Sequence, residues 1–157
     1  MQALGRIIAS GRPKFSAALL LCAFMLGAML LFDATRPGAA VPGAPRIPHF
    51  DKVAHFAAHF LLASLLCWAL LLARPASIAM PKAAWLAALA TLVIDLLLGA
   101  GVEWTQATLG QTHGRRAEAG DLAANALGAL AACAAFLCMA RSAFAAYIKH
   151  HEGPPGT

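Results

Sequence analysis

Charged residues are scarce in this chain. Only 12% of its 157 residues are Asp, Glu, Lys or Arg, whereas a soluble globular domain carries about 25%. Hydrophobic residues make up 61% of the chain, against about 45–50% in soluble domains. A soluble domain of this size could not cover its surface with so few charges. The composition excludes a soluble enzyme, a disordered chain and a nucleic-acid-binding module, and it predicts an integral membrane protein.

The chain also lacks a disulfide framework and a concentrated basic patch. Its four cysteines lie within apolar runs and form no Cys-x-x-Cys pair, so we expect small buried side chains rather than disulfides. The formal net charge is +5, but the lysines and arginines are scattered in ones and twos between apolar runs. Such scattering is typical of topology signals in membrane proteins, and we expect no nucleic-acid partner.

Four apolar runs are long enough to cross a bilayer as helices. A hydrocarbon core of about 30 Å needs roughly 20 helical residues, because lipid cannot satisfy free backbone amides and carbonyls. The predicted fold is therefore all-α, a polytopic membrane four-helix bundle with neighbouring spans running in opposite directions. The predicted spans are residues 15–32, 53–73, 83–104 and 122–140.

The predicted organisation is one membrane domain, residues 15–140, between an N-terminal segment, 1–14, and a C-terminal tail, 141–157. The first run follows basic residues and so also resembles a secretory signal. Its apolar stretch is longer than the usual core of about 7–15 residues, and no clear cleavage site follows, so we expect a retained anchor. Four prolines in residues 36–48 predict an extended loop.

Basic residues favour an orientation with both termini in the cytoplasm. Seven lysines and arginines lie in the N-terminal segment, the second loop and the tail, and five lie in the other two loops. The side with more basic residues is usually cytoplasmic. The seven are Arg6, Arg12, Lys14, Arg74, Lys82, Arg141 and Lys149, and the five are Arg36, Arg46, Lys52, Arg115 and Arg116.

Polar side chains concentrate at one end of the predicted bundle. They begin the second span, end the third and begin the fourth, and with alternating directions these helix ends lie on the same side of the membrane. Residues three, four or seven apart share a helix face, so we expect one outward-facing polar pocket. The predicted ligand-binding residues are Asp51, Lys52, His55, Glu103, Gln106, Arg115, Asp121 and Asn125.

Some of these residues also have a purely structural explanation. Asp51 and Asp121 could cap helix N-termini, and Lys52 could extend its ammonium to lipid headgroups. Glu103 is harder to explain in this way, because an acid within a span is costly and usually faces a partner or a wet cavity. If the pocket is catalytic, His55 and Glu103 are the candidate acid–base groups.

His55 and His59 have the spacing of two zinc ligands on one helix, and Glu103 or Asp121 could complete a site. Neither an H-E-x-x-H motif nor a cysteine ligand accompanies them, so we predict no metal and no cofactor. Asp95 lies near the middle of the third span, where we expect it to be protonated or hydrogen-bonded. Small residues at 124, 128 and 132 predict that the fourth helix packs closely on a neighbour.

The polar motifs together resemble those of the VanZ-like family of small membrane proteins. They occur in the family's order and cover residues 48–135, whereas His59 and Asp95 match no part of the pattern. The motifs are D-K-x-x-H-F at 51–56, E-x-x-Q at 103–106, G-R at 114–115 and D-x-x-x-N-x-x-G at 121–128.

The resemblance implies a four-span protein of the bacterial inner membrane, in a family linked by name to glycopeptide (teicoplanin) resistance. We expect the pocket to bind an anionic lipid, a lipid-linked wall precursor or a glycopeptide. Lys52 and Arg115 would supply cationic donors to a phosphate. The residues leave open an enzyme acting on the headgroup of a lipid-linked precursor, and they leave the oligomeric state open.

Overall fold

The computed structural model describes residues 13–35, 50–75, 77–109 and 118–151. Four helices in these residues are long and apolar enough to cross a membrane, and no strand occurs among them. The predicted all-α fold with four candidate spans is confirmed. In chain order, α1 is Pro13–Ala34, α2 is Phe50–Leu72, α3 is Met80–Leu109 and α4 is Ala119–His151.

Three of the four predicted apolar runs lie entirely within a helix that extends beyond them. Ala73, the last residue of the predicted second span, lies in a turn after α2. The fourth helix continues past Ala140 to His151, so the predicted boundary between membrane domain and tail falls within a helix. An apolar run marks where lipid can lie, whereas a helix continues until its backbone hydrogen bonds are interrupted. The proline-rich residues 36–48 lie outside the described part of the chain.

Contacts between α1, α2 and α3 show that successive helices run in opposite directions. The Ser16 hydroxyl donates to the Ala69 carbonyl oxygen at 2.9 Å, which places the start of α1 beside the end of α2. Only a short turn separates Leu72, at the end of α2, from Met80, at the start of α3. The first and third helices are therefore both antiparallel to α2.

The second and fourth helices are parallel neighbours. His55 Nδ1 lies 2.9 Å from Asn125 Oδ1 near the start of both helices, and farther along, Cys67 Sγ lies 3.9 Å from Cys133 Sγ. The start of α2, the end of α3 and the start of α4 consequently meet at one end of the bundle. We call this the polar end and the opposite end the apolar end.

The close approach of α2 and α4 depends on Gly128. A Cβ atom at this position would lie 2.4 Å from the Phe56 carbonyl oxygen and 3.0 Å from the Phe60 amide nitrogen. Fully buried alanines, Ala63 on α2 and Ala129 on α4, continue the contact toward the apolar end. The predicted close packing of the fourth helix is confirmed, and it holds the polar residues of α2 and α4 in register.

Apolar side chains fill the apolar end and also cover the outside of the bundle. Trp68 and Phe136 pack edge to face with ring centroids 5.0 Å apart. Phe24 and Leu97 are 73% and 69% exposed on the outer surface. Large apolar side chains so exposed are suited to contact with lipid.

Candidate functional site at the polar end

Lys52 is the centre of an ion-pair network at the polar end. Its Nζ lies 3.0 Å from Asp51 Oδ2 and 3.0 Å from Glu118 Oε2. A third carboxylate, that of Asp121, approaches within 3.3 Å. The network joins the start of α2 to the start of α4. The Lys52 ammonium, proposed from the sequence as a cationic donor to a phosphate, is thus paired with three carboxylates.

The two aspartates lie within the first turns of their helices. Asp51 is the second residue of α2 and Asp121 the third residue of α4, so neither occupies the position directly before the helix, where a capping side chain lies. That position before α4 belongs to Glu118, whose carbonyl oxygen accepts from the Asp121 amide at 3.0 Å. Acids in a first turn are favourable because the helix dipole is positive there.

His55 and Asn125 form a separate hydrogen-bonded pair between α2 and α4, one turn deeper than the ion pairs of Lys52. The half-buried His55 ring shares a 2.9 Å hydrogen bond between Nδ1 and Asn125 Oδ1. Asn125 is almost completely buried, and its Nδ2 has no hydrogen-bond partner within the described ranges. A buried asparagine bonded in this way holds the orientation of the His55 ring.

Glu103 completes the site from α3. Its side chain is 8% exposed, and Oε2 accepts a hydrogen bond from the Glu118 amide at 3.2 Å. The other oxygen, Oε1, is buried and has no hydrogen-bond partner in the part of the chain that the structure describes. Gln106, one turn along the same helix, is also buried.

Three side chains from three different helices converge at this point. Each of them offers one ligand atom, and these atoms lie within 4.8 Å of one another. If all are ionised, the carboxylates described at the polar end carry more negative charge than the Lys52 ammonium beside them can neutralise. The converging residues are His55, Glu103 and Asp121. The polar cluster as a whole consists of Asp51, Lys52, His55, Glu103, Glu118, Asp121 and Asn125.

Six of the predicted ligand-binding residues therefore lie in the polar cluster, and Gln106 is buried nearby on α3. Arg115 lies outside the described residues. His59 and His55 have different partners, because His59 Nδ1 lies 2.8 Å from Asp95 Oδ2 in the interior of the bundle. The spacing of the two histidines therefore does not give them a common metal site.

Sequence reasoning missed Glu118 and the pairing of His59 with Asp95. Glu118 lies outside every apolar run. Its place three residues before Asp121 could have indicated a further acid at the polar end. His59 lies eight residues after Asp51, and Asp95 lies eight residues before Glu103. In antiparallel helices these positions have the same depth, which could have indicated the pair.

A family model described as "Predicted membrane protein (DUF2238)" matches residues 9–142. The chain belongs to this family. The DUF2238 description agrees with the four candidate spans and names no activity. Neither the curated proteins nor the solved structures gave a match.

The polar cluster has the chemistry for two kinds of interaction. Its carboxylates and imidazole can bind a cation, and the Lys52 ammonium can bind an anion if it exchanges one of its carboxylate partners. Glu103 and His55 could also transfer protons, because a carboxyl and an imidazole can act as acid–base groups when a substrate lies within hydrogen-bond distance.

Proposed function

We propose that this DUF2238 protein binds the headgroup of an anionic amphiphile without reacting with it. The candidate ligands are an anionic lipid, a lipid-linked wall precursor or a glycopeptide, held at the outer face of the bacterial inner membrane with both termini inside. One observation carries the proposal: polar side chains of three helices converge in one cluster where the spans end. Headgroups lie at that level in a bilayer.

Lys52 is the residue of the polar cluster that can reach a phosphate. Its side chain is 31% exposed, and its partner Glu118 is 57% exposed. The Glu118 carboxylate can therefore turn to water while a phosphate takes its place beside Lys52. Asp121, at 9% exposed, would remain as the fixed partner. Arg115, which precedes α4 in the sequence, is the second proposed donor, since an arginine can bind a phosphate through two hydrogen bonds.

The motif order that resembles the VanZ-like family supports a role in the cell envelope, including glycopeptide resistance. The residues that carry the resemblance are also those that the fold brings into contact, at His55 with Asn125 and at Lys52 with Asp121. An envelope lipid or its precursor is consequently the ligand class that we propose first.

Binding without reaction is favoured by the residues present. No serine or cysteine belongs to the polar cluster within the described ranges, and serine and cysteine are the usual nucleophiles of hydrolases. His55 is held by Asn125, and Glu103 is held by the Glu118 amide. The second candidate function is an enzyme acting on the same headgroup, which the unpartnered Oε1 of Glu103 favours.

The test is to identify lipids that co-purify with the full chain in a mild detergent. We expect an anionic lipid or precursor to be enriched over its share of the membrane, and Lys52→Gln to weaken its retention. The loss of a charged hydrogen bond corresponds to about 1.5–3 kcal/mol, roughly tenfold to 150-fold. Lys82→Gln is the matched control, because Lys82 is exposed beside the apolar end. Equal retention by both variants would contradict the proposal.

Glu103→Gln separates the binding and enzyme functions. In a binding protein the variant retains the same lipid as the wild type, chemically unchanged. In an enzyme the wild type converts the lipid, and loss of an acid–base group slows conversion about 100- to 10,000-fold while binding persists. Turnover by the wild type that disappears in this variant would replace the binding proposal with the enzyme.

A further inference from the structure

We infer that His55, Glu103 and Asp121 form a site for one divalent transition-metal ion, of the Zn²⁺ or Mn²⁺ type. Their ligand atoms lie within 4.8 Å of one another and come from α2, α3 and α4. Ligands around a tetrahedral ion with bonds of about 2.0 Å are separated by about 3.3 Å. Small side-chain rotations would bring the three ligand atoms close enough together to coordinate one ion.

The unpartnered oxygen of Glu103 is an independent indication that the cluster can take a cation. The side chain is more than nine-tenths buried, yet among the described residues Oε1 has no hydrogen-bond partner and Oε2 has one, the Glu118 amide. A buried carboxylate is costly unless a cation or hydrogen bonds compensate its charge. Lys52 does not supply this cation, because its ammonium bonds to Asp51, Glu118 and Asp121 instead.

Asn125 orients the His55 ring in the way that hydrogen-bond acceptors usually orient metal-binding histidines. When the His55 Nδ1–H donates to Asn125 Oδ1 at 2.9 Å, the ring's lone pair is on Nε2. Histidines that bind metals typically donate their other ring N–H to an oxygen acceptor, which sets the tautomer and the ring orientation. Asn125 is thus a positioning residue for the proposed site.

The set of donors determines the class of ion. One imidazole nitrogen and two carboxylate oxygens suit Zn²⁺ or Mn²⁺, whereas Mg²⁺ and Ca²⁺ prefer oxygen ligands throughout. Three protein ligands leave a coordination position open for water or another small ligand. The inference does not depend on the proposed lipid function, because metal binding is measured without added lipid.

The test is a titration of the full purified chain, with any affinity tag removed, against Zn²⁺ alone and Mn²⁺ alone. We expect one tightly bound ion per chain, with affinity at least tenfold weaker in His55→Ala and Glu103→Gln. Glu118→Gln is the matched control, because it removes the same charge from the same cluster at a residue outside the ligand set. A wild type that binds the metal ion no more tightly than Glu103→Gln would overturn the inference. A loss of metal affinity in Glu118→Gln equal to that in Glu103→Gln would also overturn it.

Asn125 variants and spectroscopy test the role of His55 directly. We expect Asn125→Ala to weaken metal binding about 10- to 100-fold, the usual cost of losing a histidine's supporting partner, and Asn125→Asp to retain it. Pulsed electron paramagnetic resonance of Mn²⁺ on the wild-type chain should detect one coordinated imidazole nitrogen. This readout applies even if a His55 variant fails to fold. An all-oxygen spectrum, or Mg²⁺ competing equally with Mn²⁺, would refute the site.

Discussion

Gly128 offers a sharp test of how α2 and α4 hold the polar end together. In Gly128→Ala the new methyl group would lie 2.4 Å from the Phe56 carbonyl oxygen, where ordinary contact begins at 3.4 Å. The obstructing atoms belong to the backbone of α2 and cannot rotate away. The two helices must therefore separate by about 1 Å, and overpacking of this kind costs about 1–3 kcal/mol.

Gly101→Ala is the matched control for this substitution. A Cβ at Gly101, on α3, would meet no atom within 4 Å. Both variants gain the same helix propensity, about 1 kcal/mol for alanine over glycine. The difference between their free energies of unfolding therefore isolates the steric cost at Gly128, about 1–3 kcal/mol.

The assay is reversible unfolding of both variants in mixed detergent micelles, followed by circular dichroism. We expect Gly101→Ala to match or exceed the wild type in stability and Gly128→Ala to fall below it. Separation of α2 from α4 should also weaken the contacts of Lys52 with Asp121 and of His55 with Asn125, so metal affinity should fall in Gly128→Ala alone. Equal stability of the two variants would refute the close backbone contact.

Two further predictions concern the membrane interior and the topology. His59→Leu leaves Asp95 buried without its partner and should lower the free energy of unfolding by about 3–5 kcal/mol. Adding Asp95→Leu should recover most of this loss. A double variant that is no more stable than His59→Leu would argue against the pair. Reporter fusions after residues 40, 78, 112 and 157 should report outside, inside, outside and inside. Fusions at 40 and 112 on opposite faces would be incompatible with a single polar end.

The fold could be predicted because it depends on one-dimensional properties of the chain. Each apolar run is long enough to span a bilayer, and short connections alternate the directions of the spans. Alternation alone was enough to place Lys52, Glu103 and Asp121 at one end. The structure adds that α2 contacts each of the other three helices, which no apolar run indicates.

Equal depth is a signal for a pairing but does not decide it, because the pairings also depend on how each helix is rotated about its axis. His55 and His59 share one face of α2, as their spacing predicts, yet His55 binds Asn125 on α4 and His59 binds Asp95 on α3. That face lies between two helices, so neighbouring residues have different partners. Glu118 was missed as a partner of Lys52 because it lies outside every predicted span.

The central claim, that the polar cluster holds an anionic headgroup, is tested most directly by solid-state nuclear magnetic resonance. The full chain, labelled with ¹⁵N at its lysine side chains and carrying only co-purified lipid, would be measured for dipolar coupling between ³¹P and lysine nitrogen. We predict a coupling that persists in Lys82→Gln and disappears in Lys52→Gln, because the phosphate lies beside the Lys52 ammonium. A coupling unchanged in Lys52→Gln, or none in the wild type, would contradict the claim.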